Sequence, residues 1–96
     1  MNEKLKGPEV DGLFAGVLQL KTIEECYAFF DDVCTVHELQ SMAQRLYVAA
    51  LLREGKTYAE ISEQTRASTA TISRVNRALH YGSDGYALVL DRINEK

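Results

Sequence analysis

Residues 57–74 read TYAEISEQTRASTATISR, and this stretch decides the fold. Glu60 follows Thr57 by three residues. That spacing is a capping box, in which each side chain bonds the other's backbone N–H and starts a helix. Ile61 and Ile72 are spaced to plug the angle between two short helices, and Ser62 is small where they cross. Tyr58, Ile61 and Thr65 make the inner face of the first helix. Ser68 or Thr69 starts the second, with Ile72, Val75 and Leu79 inward, and a Ser68 cap leaves its first N–H groups facing out. The turn position often taken by Gly is Arg66, which adds strain if its φ is positive.

Two short helices joined by a tight turn, with caps, apolar plugs and a basic outer face, form a helix-turn-helix, whose second helix enters the major groove of double-stranded DNA. The second helix displays Thr69, Ala70, Thr71, Ser73, Arg74 and Arg77. Short hydroxyl and methyl groups at its tip allow close approach to base edges and thymine methyls, while the arginines neutralise phosphates or read guanine. Lys56, Thr57 and Tyr58 at the head of the first helix, with Ser68, complete the candidate DNA surface. The charge pattern agrees. The net charge is −3, yet residues 53–80 hold five basic and three acidic groups. That leaves six of the eleven basic and eleven of the fourteen acidic groups to the rest of the chain. A basic element on an otherwise acidic chain suits contact with a polyanion.

Outward from this segment the pattern is helical almost throughout. Residues 1–9, with Gly7 and the single proline, Pro8, read as a loose tail. Val10, Leu13, Phe14, Val17 and Leu18 recur at helical steps. Thr22 and Glu25 form a capping box before the stripe Ile23, Cys26, Tyr27, Phe30 and Val33. Thr35 and Glu38 form another before a helix of about 19 residues. That helix carries Val36, Leu39, Met42, Ala43, Leu46, Tyr47, Ala50 and Leu51, and Gly55 ends it. Ser83 is positioned to cap a last helix with Tyr86, Val89, Leu90 and Ile93 on one face. The expectation is one all-α domain of about six helices, divided into dimerisation helices over 10–54, a helix-turn-helix over 57–81 and a C-terminal helix over 83–94. Residues 10–52 carry more apolar stripe than one small chain can cover, so a symmetric homodimer is expected.

Composition narrows the alternatives. The 96 residues are 46% apolar and 26% charged, a globular balance. No apolar run approaches the length of a membrane helix and no secretory signal is read, so a cytoplasmic protein without a membrane partner is expected. Cys26 and Cys34 read as two buried thiols, and with His37 and His80 they lack metal-ligand spacing. The acidic pairs Glu24–Glu25 and Asp31–Asp32 point to different helix faces, and no nucleophile–base set or phosphate loop is present. Neither an enzyme nor a cofactor is expected. The competing function is a helical dimeric interaction protein that keeps the fold but has lost operator binding.

The segments CTVHELQSMAQR (34–45), LLREGKTYAEISE (51–63) and STATISRVNRAL (68–79) resemble the Trp repressor family, and within it proteins of the YerC/YecD type. The close resemblance runs from Thr35 through Leu79. It implies an intertwined homodimer whose paired recognition helices enter successive major grooves of a palindromic operator. The family's DNA-contacting positions fall on Tyr58, Ala59, Ser62, Ser68, Thr69, Ala70 and Ser73. Its tryptophan pocket falls on Arg74 and on Arg45 or Gln44, with Val75 at the family's small position and Ala78 in place of a serine. Val75 adds bulk and Ala78 removes a polar partner, so Gln44, Arg45, Arg74, Val75 and Ala78 read as a vestigial ligand pocket, and DNA binding without tryptophan is expected.

Overall fold

A computed structural model describes residues 3–95. A 3₁₀ turn at Glu3–Leu5 precedes α1 (Pro8–Val17), α2 (Ile23–Val33), α3 (Val36–Arg53), α4 (Tyr58–Thr65), α5 (Thr69–Tyr81) and α6 (Gly85–Ile93). No strand occurs among the described residues, so the fold is all-α with the six helices expected. The chain divides into two compact units, Met1–Leu39 and Gln40–Lys96, and the boundary falls inside α3.

In the first unit the chain orders earlier than expected. Residues 1 and 2 of the expected loose tail lie outside the described residues. The rest is shorter than nine residues because Pro8, whose φ is already helical, takes the first position of α1. The Thr22 hydroxyl accepts the Glu25 N–H at 3.0 Å. The Glu25 carboxylate reaches past Thr22 to the Lys21 N–H at 2.8 Å, so this capping box is offset by one residue. At Thr35 the box closes in both directions, at 2.8 and 3.1 Å. Neither α1 nor α2 has a buried residue. Phe14 is 57% exposed and Tyr27 69%, and Ile23 and Val33 are also exposed. The expectation of two buried thiols is corrected here: Cys26 is exposed and Cys34 only half-buried, because nothing in this unit covers the α2 stripe.

The second unit holds the core. Val48, Ala49, Leu51, Ile61, Ala67, Ile72, Val75 and Leu90 are buried, with Leu46, Ala50, Leu52, Leu79 and Tyr86 packed against them. Burying a residue such as Ile61 or Ile72 contributes roughly 2–3 kcal/mol each. The α3 residues in this core were only partly foreseen. Val48 and Ala49 were not in the expected stripe, whereas Met42 and Tyr47 were and are exposed. The α3 residues that join the core with α4–α6 all come from its C-terminal half, between Leu46 and Leu52.

The ends of these helices fix the path of the chain. After α3, the Lys56 N–H reaches Leu51 O at 3.2 Å and the Gly55 N–H reaches Leu52 O at 3.0 Å. This is a Schellman stop, with Gly55 in the left-handed region at φ 84°. Helix α6 departs from expectation. Its N-cap is Asp84, at φ 63°, with no side-chain cap bond, so Ser83 does not cap it.

Candidate nucleic-acid interface

The chain forms a helix-turn-helix from α4, the turn Arg66–Ser68 and α5. Ile61 and Ile72 have no exposed surface and close the angle between the helices. The α4 capping box is complete: Thr57 Oγ1 accepts the Glu60 N–H at 3.1 Å, and the Glu60 carboxylate accepts the Thr57 N–H at 2.8 Å. The Thr57 N–H first, and then the Thr57 hydroxyl, hold the Glu60 carboxyl below the usual glutamate range. Tyr58 is not on the inner face. It is 38% exposed, because as the first residue of α4 it precedes the turn that packs on the core.

Hydrogen bonds lock the turn. Arg66 takes φ 64° and donates its N–H to Ser62 O at 2.8 Å. The Ser62 hydroxyl donates to Ala67 O at 3.1 Å, and the Thr65 hydroxyl donates to Ile61 O at 2.8 Å while accepting the Ala67 N–H at 3.1 Å. From α3, the Gln44 side-chain amide donates to Thr65 O at 3.1 Å. The turn therefore needs no glycine. Three side chains satisfy its backbone groups and offset the strain at Arg66, which costs on the order of 1 kcal/mol.

Helix α5 presents an exposed face opposite the core. Ser68 caps it, accepting the Thr71 N–H at 3.1 Å, and the Ser68 and Thr71 hydroxyls also bond each other at 3.1 Å. Thr69, Ala70, Ser73, Arg74 and Arg77 are exposed, while Thr71 is half-buried. At 100° per residue, Ala70, Ser73, Arg74 and Arg77 lie opposite the buried Ile72 and Val75. Among the described residues no ion pair engages Arg66, Arg74, Arg77 or Lys56. Arg53 is different. It pairs with Asp91 at 2.6 Å and is committed to joining α3 to α6.

The structure sorts the remaining candidates. Ser62 and Thr57 spend their hydroxyls on the turn and the cap. Val75 is 2% exposed and belongs to the core. Arg74 and Ala78 line a cleft of about 410 Å³ with Arg77, Tyr81 and Gly82, a set that excludes Gln44, Arg45 and Val75. Sequence reasoning missed the role of Gln44 in the turn, which no local spacing signals. It also missed Tyr81, exposed at the end of α5, one helical turn beyond Arg77.

The profile of the Trp repressor protein family matches residues 8–94. The chain is 60% identical over 93 residues to the protein YerC of Bacillus subtilis (strain 168), covering 97% of this chain and 89% of YerC. It is similar to the crystal structure of a TrpR-like protein from Eubacterium eligens ATCC 27750. The TM-score is 0.93 and the identity 54%, covering 98% of this chain and 97% of that one. A second crystal structure, from Staphylococcus aureus, matches with a TM-score of 0.93 and 54% identity, covering 98% and 94% of the two chains. The outward-facing helix-turn-helix and these matches along nearly the whole chain place the protein in the Trp repressor family, with the YerC type.

Proposed function

We propose that the protein is a sequence-specific, DNA-binding transcriptional regulator that acts as a homodimer in the cytoplasm and does not require tryptophan. The observation that carries this is the α5 face: exposed Arg74 and Arg77, free of intramolecular partners among the described residues, behind a tip of small side chains. With a rise of 1.5 Å per residue, Arg74 stands about 6 Å and Arg77 about 10 Å behind Ala70 along the helix axis. The major groove is about 8.5 Å deep. With the tip at the groove floor, Arg77 reaches the rim, where the phosphates lie.

The exposed apolar side chains of α1 and α2, none of them buried, support a second copy as their cover. A two-fold dimer sets its recognition helices to two half-sites about 34 Å apart. The packing of Val75 in the core supports independence from tryptophan. A ring placed there would have to displace core atoms, and a ligand without differential affinity shifts no equilibrium.

Genome-wide mapping of DNA bound by the native protein tests this reading, with the Arg74→Ala/Arg77→Ala variant beside it and tryptophan present or absent. Discrete sites that vanish in the variant and ignore tryptophan are expected. Enrichment that survives in the variant overturns the assignment of α5, none in either protein overturns the DNA-binding reading, and sites that need tryptophan overturn the effector-free one.

A further inference from the structure

We infer that Gln44 is a positioning residue: through the Thr65 carbonyl it fixes the angle at which the helix-turn-helix leaves α3, and so sets how strongly the protein prefers its own site over other DNA. This rests on the DNA-binding reading above and adds what aims α5.

The bonds that hold the turn have two origins. The Arg66 N–H to Ser62 O, the Ser62 hydroxyl to Ala67 O and the Thr65 hydroxyl to Ile61 O all run within α4 and the turn. They give the helix-turn-helix its shape and move with it. The Gln44 bond to Thr65 O, 3.1 Å long and partly buried, comes from outside. Among the described residues, two side-chain hydrogen bonds leave α3 for later elements, and the other, from Arg53 to Asp91, reaches α6 instead.

Apolar packing also joins α3 to the helix-turn-helix, since Val48, Ala49 and Leu51 share one buried cluster with Ile61, Ile72 and Val75. Such packing is non-directional. A hydrogen bond holds its partners to within a few tenths of an ångström and weakens steeply when bent. The cluster keeps the helix-turn-helix on α3, and the Gln44 bond sets its angle there.

The lever is long. Arg77 lies eight residues beyond Thr69, the first residue of α5, which is about 12 Å along the helix. A tilt of about 10° at the turn moves it by about 2 Å, several times the roughly 0.5 Å within which a recognition group has to be held. Contacts to base edges need that placement and carry the sequence preference. Neutralisation of phosphates supplies binding to any sequence and follows from charge. Loss of the tie therefore weakens binding to the preferred site more than binding to other DNA.

The test uses the full-length native protein, Gln44→Glu and Gln44→Ala, each checked by its melting curve to be folded under the binding conditions. Fluorescence anisotropy near neutral pH measures affinity for a duplex selected by the native protein from a random-sequence pool, and for a scrambled duplex of the same composition. Glu keeps the shape of Gln, but its carboxylate has no proton to donate to a carbonyl. Ala removes the donor and adds no charge. In both variants affinity for the selected duplex is expected to fall about threefold to tenfold, the net contribution of one hydrogen bond. Affinity for the scrambled duplex and the salt slopes should keep their native values. Acid that protonates the new carboxyl restores a donor, so the loss in Gln44→Glu, relative to the native protein at the same pH, should shrink while that in Gln44→Ala stays. An unchanged preference for the selected duplex in both variants, or an equal loss on both duplexes, overturns the inference and leaves the proposed function standing. Selection that enriches no duplex at all overturns both.

Discussion

Gln44 and Thr65, twenty-one residues apart, are joined by a 3.1 Å hydrogen bond from the Gln44 side-chain amide to the Thr65 carbonyl. The bond is partly buried and ties the middle of α3 to the last residue of α4, next to the turn. Gln44→Ala leaves that carbonyl without its partner and is expected to cost about 1–2 kcal/mol in urea unfolding. DNA affinity should fall with it, since the turn sets the entry of α5. A variant as stable as the parent, with unchanged affinity, would show that the turn holds without this tie.

Two substitutions at helix ends should act in opposite directions. Arg66 is at φ 64°, where glycine is at ease, so Arg66→Gly is expected to raise stability by about 0.5–1 kcal/mol. At Gly82, an added Cβ would lie 2.5 Å from the carbonyl oxygen of Ala78. Gly82→Ala therefore forces the end of α5 to shift and should lower the melting temperature. Calorimetric scans of both variants read the two signs directly.

Much of this architecture was legible in the sequence because its signals are local. The Thr35–Glu38 and Thr57–Glu60 spacings fix helix starts through bonds three residues long. Ile61 and Ile72 at the helix crossing follow from periodicity. What was missed is non-local or set by packing. Gln44 acts on a turn far along the chain. Val48 and Ala49 fall outside the expected α3 stripe and are buried because they join the cluster that α4–α6 complete, which the periodicity of α3 alone does not signal. Ser83 has the chemistry of a cap, yet the chain turns through Asp84 and leaves its hydroxyl unused for that purpose.

Acid should loosen the starts of α3 and α4. The Thr35 and Thr57 backbone N–H groups, and then their hydroxyls, hold the Glu38 and Glu60 carboxyls below the ordinary glutamate value. A carboxyl depressed in the folded state stabilises it fully above the unfolded pKa, about 4.3, and loses that contribution as pH falls through the folded value. Stability should therefore decline on acidification from about pH 5 downward. Replacing Glu38 and Glu60 together by Gln should flatten that decline in denaturant titrations across pH.

The exposed stripes of α1 and α2 set an expectation for assembly. Light scattering at micromolar concentration should give the mass of two chains. Replacing Phe14 and Tyr27 by Ser should shift the scattering toward one chain by removing apolar surface that a partner would bury. A native protein that stays monomeric would remove the homodimer from the account.

The most direct measurement is the affinity for a selected duplex as a function of salt, by fluorescence anisotropy, for the native protein and for Arg74→Ala and Arg77→Ala separately. Phosphate neutralisation makes log affinity fall linearly with log salt concentration. The account expects a steep native slope, reduced by about one unit per protomer in each variant that loses a phosphate contact. A native affinity indifferent to salt, or slopes unchanged in both variants, would contradict the assignment of α5 as the DNA-reading helix.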